Sequence, residues 1–307
     1  MKRLLALIAS LLAVCSLSAQ TLRQMTIEDG GTGPYKAVMT SESGFENYTF
    51  YRPADMAAAV EKEGKLPVLL FGNGGCASTS IGFENYLTEI ASHGYIVIAV
   101  GPYQEPGQKV EQEWFWSPEG EDKPDMPVQK VAALDLHAQL DKLAAESKTS
   151  GSIFFGMADT DNVCALGQSC GGSQALVIGT AGDERIRTII PLNSGCTRPG
   201  DFLSDVVNKD DLVRLSGPIA YLIGGPTDIA YKNAESDYAV ITTQPVVFAN
   251  TDLGHGGSYT QPHGGTFAEL TLLWLDWQLK GNASGKGVFL GEPSAQFADW
   301  TFQSKNF

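Results

Sequence analysis

The most informative stretch of this 307-residue chain is Val163-Cys164-Ala165-Leu166-Gly167-Gln168-Ser169-Cys170-Gly171-Gly172. It contains the pentapeptide Gly-x-Ser-x-Gly, with an apolar, strand-like run before it and a helix-like run after it. A serine on a sharp strand-to-helix turn presents its hydroxyl openly, and the flanking glycines let strand and helix pass closely. The five letters alone arise often by chance, so it is this context that predicts a nucleophile at Ser169 rather than an ordinary glycine-rich loop.

Strand-like and helix-like patterns alternate on both sides of this stretch. Apolar runs typical of buried parallel strands occupy residues 67–71, 95–100, 163–167, 188–192, 219–223 and 246–249. Two earlier strands are predicted at 35–40 and 48–52, and helices at 83–92, around 133–143, at 172–180 and at 266–280. This alternation predicts an α/β fold, a mostly parallel central sheet with helices on both faces. In such sheets, sites form in the loops at the carboxyl ends of the strands.

A serine nucleophile needs a base, and the chain has four histidines. His255 lies in a glycine-rich loop directly after the last predicted strand, so it is the preferred base. His263 is the alternative, and its structural interpretation is a surface loop residue. His93 precedes Gly94 at a helix end and His137 lies within an amphipathic helix, so both are interpreted as structural.

The acid that orients the base should lie between the serine and the histidine in sequence, after a strand. Asp228 follows the predicted strand 219–223 through Gly224-Gly225-Pro226-Thr227 and fits that position. Its structural interpretation is a turn residue, because proline and aspartate are common in turns. Asp237 and Asp252 are the alternatives.

Acyl transfer also needs two backbone N–H donors for the developing oxyanion. The residue after the nucleophile, Cys170, should supply one, so its thiol is expected only to pack. The glycine-rich loop Gly72-Asn73-Gly74-Gly75-Cys76 follows the first central strand and should supply the other. Gly75 is the preferred donor, with Gly74 and Cys76 as alternatives, and a turn without any electrostatic role is the structural interpretation.

The order Ser169, Asp228, His255, with this elbow and loop, resembles the α/β-hydrolase family over nearly the whole chain after its first residues. Within that family, residues 91–97 and 274–281 resemble the dienelactone hydrolase, platelet-activating-factor acetylhydrolase, chlorophyllase and cutinase-like polyester-hydrolase relatives. Asn73 and Gln168 depart from the pattern, since many relatives carry histidine at each position. The resemblance implies an α/β-hydrolase fold and a serine hydrolase that cleaves carboxylic esters without cofactor or metal.

The first residues fit a secretory signal peptide. Lys2 and Arg3 precede an apolar run from residue 4 to 14, and the small residues after it predict a cut after Ala19 or, alternatively, after Ser18. Residues 20–307 are then one hydrolase domain, secreted or periplasmic. Cys15 leaves open a lipoprotein anchor as the less favoured alternative.

The composition limits the partners. The formal net charge of −14 argues against nucleic acid or an anionic membrane surface as partner. The apolar run at the start is too short to span a bilayer, and no other stretch is long and apolar enough. The expected partner is therefore a small-molecule or polymeric ester; the sequence is silent on the acyl group, the alcohol and the oligomeric state.

Four cysteines remain beyond the predicted signal peptide. Cys164 lies in a strand pattern and is expected to be a buried free thiol, while Cys76 and Cys196 both follow strands and are candidates for a disulfide. No spacing typical of a zinc site occurs. The pairing among Cys76, Cys164, Cys170 and Cys196 stays open at this point.

Several functional alternatives also stay open. A peptidase or acyltransferase would use the same triad, and a catalytically silent binding protein would use the same scaffold. A thiol enzyme that uses Cys170 is less favoured, because the elbow exposes Ser169 and turns its neighbour away. Trp114, Phe115 and Trp116, in the segment 103–127, would either line a substrate pocket or fill the edge of the core.

Overall fold

The structure is a computed structural model that describes residues 18–107, 128–197, 203–292 and 294–307. Most of the predicted signal peptide and the aromatic residues Trp114, Phe115 and Trp116 lie outside the described residues.

Ten strands and seven α-helices occur in these ranges. The strands are β1 (Thr21–Met25), β2 (Ala37–Glu42), β3 (Tyr48–Pro53), β4 (Leu66–Gly72), β5 (Ile96–Val100), β6 (Ala158–Gln168), β7 (Ile186–Leu192), β8 (Ile219–Ile223), β9 (Val246–Asn250) and β10 (Thr301–Lys305). The helices are α1 (Met56–Glu63), α2 (Glu84–Ser92), α3 (Val128–Glu146), α4 (Cys170–Gly179), α5 (Tyr231–Val240), α6 (Gly265–Leu279) and α7 (Lys286–Phe289).

All ten strands form one sheet, in the order β1-β2-β3-β5-β4-β6-β7-β8-β9-β10. The six strands from β5 to β9 in this order are parallel to one another. The strands outside them, β1 to β3 and β10, pair antiparallel. The predicted α/β architecture with a mostly parallel sheet is therefore confirmed.

Two apolar clusters hold the layers together, one on each face of the sheet. On one face lie side chains of α1, α3, α4 and α5, including Leu140 and Ile178. On the other lie side chains of α2, α6 and α7, including Leu87 and Trp274. Residues on β4 alternate between the clusters, with Leu70 in the first and Phe71 in the second, because successive strand side chains point to opposite faces. None of the helices in the described ranges is long and apolar enough to cross a membrane.

Some elements differ from the sequence-based expectation. The helix expected at 172–180 begins two residues earlier, at Cys170, so its first turn directly follows Ser169. Strands β1 and β10 and helices α1, α5 and α7 were not predicted. The two strands lie at the sheet edges and all their residues are exposed or half-buried, so they lack the apolar pattern of the central strands.

Candidate active site

Ser169 lies on the turn between β6 and α4, with φ 54° and ψ −114°. A non-glycine residue with such a positive φ is strained and persists only where its surroundings impose it. Here the Ser169 N–H donates to the carbonyl oxygen of Leu192 at 2.9 Å, and the hydroxyl of Ser194 donates to the carbonyl oxygen of Ser169 at 2.6 Å. Residues at the end of β7 and just beyond it therefore hold the serine backbone in this conformation.

The glycines beside Ser169 are required by close backbone packing. A Cβ on Gly171 would lie 2.0 Å from the carbonyl oxygen of Gly72, and one on Gly167 would lie 2.4 Å from the carbonyl oxygen of Gly171. These contacts are shorter than any side chain tolerates. The first turn of α4 can therefore sit against the ends of β4 and β6 only without side chains at these positions, as the Gly-x-Ser-x-Gly pattern predicts.

His255 follows β9 and contacts the serine. Its Nε2 lies 2.9 Å from the Oγ of Ser169, and its Nδ1 lies 2.6 Å from Oδ1 of Asp228. An ionised carboxylate only accepts hydrogen bonds, so Nδ1 carries the proton and Nε2 is free to accept from the serine hydroxyl. The imidazole is 30 % exposed.

Asp228 follows β8 and its side chain is fully buried. Besides His255 Nδ1, three donors reach its carboxylate: the N–H of Ala230 at 2.9 Å, the N–H of Gly224 at 3.0 Å and Nδ2 of Asn193 at 2.7 Å. Burial by itself raises the pKa of the Asp228 carboxyl, but the hydrogen bond from His255 and the other three outweigh it and lower the pKa. The group is therefore held as a buried carboxylate opposite the histidine.

Asn193, directly after β7, is a site residue that the sequence reasoning missed. Its Nδ2 donates to Asp228 and, at 3.2 Å, to the carbonyl oxygen of Gly254, the residue before His255. Its Oδ1 accepts from the hydroxyl of Tyr259. Asn193 has φ 44° and is fully buried, so it ties the acid and the base loop together. The sequence signal for Asn193 was its position. It is a polar residue directly after the buried strand β7, which lies between the strand that leads to Ser169 and the strand that leads to Asp228.

The two expected oxyanion donors lie in the helical turns that follow β6 and β4. Cys170 is the first residue of α4, so its N–H has no acceptor within the helix. Gly75 lies in the 3-10 turn Gly74–Cys76 after β4, with φ 63°. Asn73 anchors this turn, because its Nδ2 donates to the carbonyl oxygens of Val100 at 2.7 Å and Ala77 at 3.0 Å.

Gln168 connects this turn to the base loop. Its Nε2 donates to the carbonyl oxygen of His255 at 2.9 Å, and its Oε1 lies 1.9 Å from where a Cβ on Gly74 would be. Asn73 and Gln168 are the two positions that depart from the pattern of the resembling enzymes, and both have clear structural roles here.

The cysteine pairing differs from the candidate pair Cys76 and Cys196. The disulfide joins Cys76 to Cys170, with their Cα atoms 5.2 Å apart, and the thiols of Cys164 and Cys196 are free and buried. The expectation that the Cys170 thiol only packs is therefore wrong. Cys76 follows β4 and Cys170 follows β6, and these two strands are neighbours in the sheet, whereas Cys196 lies beyond β7.

The alternative bases and acids have other partners. The imidazole of His93 lies against Glu89, that of His137 against Asp183, and that of His263 between Glu28 and Glu89.

Of the alternative acids, Asp252 accepts from the hydroxyl of Thr227 at 3.2 Å. The buried Asp237 pairs with Lys209 and accepts from the N–H of Cys196 at 2.7 Å. Neither carboxylate is bonded to His255.

Over the described ranges, no three side chains of His, Cys, Asp or Glu are grouped as a metal site would need. Comparison of the sequence with protein-family models gives no match, and no curated protein matches it either.

Proposed function

We propose that this protein is a serine hydrolase that cleaves carboxylic esters through an acyl-enzyme intermediate. The observation that carries the proposal is the continuous hydrogen-bonded chain from Ser169 Oγ through His255 to the buried carboxylate of Asp228. A nucleophile, a base within hydrogen-bond reach and an acid that orients the base are the parts that acyl transfer requires.

In the first half of the reaction, Ser169 Oγ attacks the acyl carbon of the ester while His255 Nε2 takes its proton. Asp228 holds the imidazole by its Nδ1–H and stabilises the imidazolium that forms. The N–H groups of Cys170 and Gly75 bind the oxyanion of the tetrahedral intermediate. As the intermediate collapses, His255 returns the proton to the leaving alcohol, and the acyl group stays on Ser169.

In the second half, water takes the place of the alcohol. His255 Nε2 accepts a proton from the water as it attacks the acyl carbon, and the same two N–H groups bind the second oxyanion. Collapse then releases the carboxylic acid and returns the proton to Ser169 Oγ. Each step uses groups of this chain, water and the ester alone.

The same features support membership of the α/β-hydrolase family. The nucleophile lies between strand β6 and helix α4, and Asp228 and His255 follow it in the order typical of that family. We also propose that the protein is exported, because of the basic and apolar character of its first residues.

The decisive experiment compares wild type with Ser169→Ala on p-nitrophenyl esters of graded acyl length. Turnover is expected to fall by about 10³-fold or more in the variant, because the nucleophile is lost, while its circular dichroism stays that of the wild type. Ser284→Ala, at an exposed serine far along the chain, is the matched control. Undiminished turnover in Ser169→Ala would overturn the proposal.

A substrate panel separates the rival functions. Faster cleavage of peptides than of esters would indicate a peptidase, and transfer of the acyl group to an added alcohol in preference to water would indicate an acyltransferase. Ligand binding without turnover of any acyl substrate would indicate a binding protein.

A further inference from the structure

A covalent bridge joins the two loops that carry the expected oxyanion donors. The Cys76–Cys170 disulfide spans 94 residues of chain, and both cysteines are nearly inaccessible, at 4 % and 2 % exposure. Gly75 directly precedes Cys76, and Cys170 is itself the residue that follows the nucleophile. The bridge is therefore within one residue of both donors.

The backbone at one end of the bridge is strained. Cys76 has φ 54° and Gly75 has φ 63°, so two successive residues lie in the left-handed region. For a residue with a side chain, this conformation costs about 1–2 kcal/mol, which a free loop would relieve by rotating its peptide units. Such a rotation would change the direction of the Gly75 N–H, the expected oxyanion donor.

Other contacts hold only part of this turn. The side chain of Asn73 fixes its beginning through the carbonyl oxygens of Val100 and Ala77, and Gln168 packs against Gly74. On the opposite side, α4 is already fixed by its close contact with Gly72. The disulfide adds a covalent link between the turn at Gly75 and the first residue of α4.

We propose that the Cys76–Cys170 disulfide is a positioning element of the oxyanion hole, which holds the N–H groups of Gly75 and Cys170 at the spacing that the oxyanion requires. This inference rests on the proposed hydrolase function. It assigns the bridge a role in kcat beyond the stability that any disulfide gives.

The test replaces both cysteines and separates catalysis from stability. Loss of one oxyanion donor lowers kcat by about 10²–10³-fold, so a misplaced donor should lower it by about 10- to 100-fold in Cys76→Ser/Cys170→Ser. We expect KM for a p-nitrophenyl ester to change much less, and the pH dependence of kcat to keep its shape because the triad is intact. Rates are measured well below the melting temperature of each variant.

The matched control is Cys164→Ala/Cys196→Ala, which removes the two buried free thiols and leaves the bridge. Its kcat should stay close to that of the wild type, although its melting temperature falls. A kcat for Cys76→Ser/Cys170→Ser within about twofold of the control would overturn the inference. A rise in KM without a fall in kcat would also overturn it.

Labelling of Ser169 by a fluorophosphonate keeps this inference distinguishable from the proposed function. The phosphoryl oxygen of the probe uses the same N–H donors, so the labelling rate should fall in the disulfide variant as kcat does. If the probe labels Ser169 of the wild type but the wild type cleaves no ester, the proposed function fails. The labelling rates with and without the bridge still test the positioning role. Equal labelling rates with and without the bridge would overturn the positioning role.

Wild-type protein gives a second route if the double variant does not fold. Dithiothreitol reduces the bridge to two thiols and becomes its own cyclic disulfide, and mass spectrometry counts the thiols formed. The labelling rate should fall on reduction and recover on reoxidation. A rate that stays constant while the bridge opens would contradict the inference.

Discussion

Nδ2 of Asn193 lies 2.7 Å from Oδ2 of Asp228, and the same nitrogen also contacts the carbonyl oxygen of Gly254, one residue before His255. One buried amide thus touches both the acid and the loop of the base. A hydrogen bond to a charged group contributes about 1.5–3 kcal/mol.

Asn193→Ala is therefore expected to lower kcat/KM by about 10- to 100-fold, because it removes a donor from a buried carboxylate. Asn306→Ala, near the exposed end of the chain, is the control. Steady-state kinetics on an ester decide the point, and an unchanged kcat/KM would show that Asn193 has no part in the site.

Asn193→Asp separates positioning from packing. A second carboxylate beside Asp228 should raise the pKa of the pair. Asp228 must be ionised to orient His255. As the pH is lowered, the variant should therefore lose activity at a higher pH than the wild type does. If Asn193 only fills space, the acid limb of the pH profile will not move.

Gly171→Ala should destabilise the protein, although glycine to alanine within a helix ordinarily stabilises by about 0.5–1 kcal/mol. The added Cβ would lie 2.0 Å from the backbone of Gly72, which is too rigid to yield. We expect the free energy of unfolding in urea to fall by about 1–3 kcal/mol. A variant as stable as the wild type would contradict the close contact at the elbow.

Glu89 should contribute to stability in a pH-dependent way. Burial raises the pKa of its carboxyl, but hydrogen bonds from His93 and from Thr32 outweigh that effect and lower the pKa to about 2. A carboxyl with a lowered folded-state pKa stabilises the fold above its unfolded pKa of about 4.3, and that stabilisation is lost as the pH falls towards 2.

Between pH 5 and pH 2, the free energy of unfolding of the wild type should therefore fall more than that of Glu89→Gln. Glu61→Gln, at an exposed carboxylate on α1, is the control and should follow the wild type. Chemical denaturation at a series of pH values measures the difference. Parallel curves for wild type and Glu89→Gln would contradict the prediction.

The contacts of Ala19 bear on where the proposed signal peptide is cut. Ala19 is 1 % exposed, its N–H donates to the carboxylate of Glu146 at 2.8 Å, and its carbonyl oxygen accepts from the N–H of Ile153 at 3.1 Å. A cut after Ser18 would place a new ammonium group beside Glu146, whereas a cut after Ala19 would remove a core residue. We therefore expect the alternative cut, after Ser18, in place of the cut after Ala19 that the sequence favours, and Edman sequencing of exported protein should begin at Ala19. A start at Gln20 would contradict this prediction.

Much of the architecture could be predicted because the central strands are buried on both faces. Strand β8 was predicted with its observed bounds, since five apolar residues stand between a turn and Gly224. Ser169, Asp228 and His255 could be proposed because each follows such a strand, and the structure brings their side chains within hydrogen-bond distance. Strands β1 and β10 could not be predicted from the sequence, because edge strands that are exposed or half-buried carry no apolar alternation.

The disulfide and Asn193 show what local pattern leaves out. Cys76 and Cys170 come together because β4 and β6 are neighbours in the sheet, although α2, β5 and α3 separate them in sequence. Asn193 acts through side-chain contacts that join three loops. These contacts depend on how the strand ends are arranged in space. Both features follow from strand order, which is a property of the assembled sheet.

Strand β10 has a consequence for how the protein can be engineered. It pairs antiparallel with β9 along Thr301–Lys305 and so covers the outer edge of the strand that leads to His255. A chain shortened to residue 300 would leave the backbone groups of β9 open to pairing with a strand of another molecule, which is a common route to aggregation. Purification tags and fusion partners are therefore better joined beyond Phe307 than substituted for the final residues.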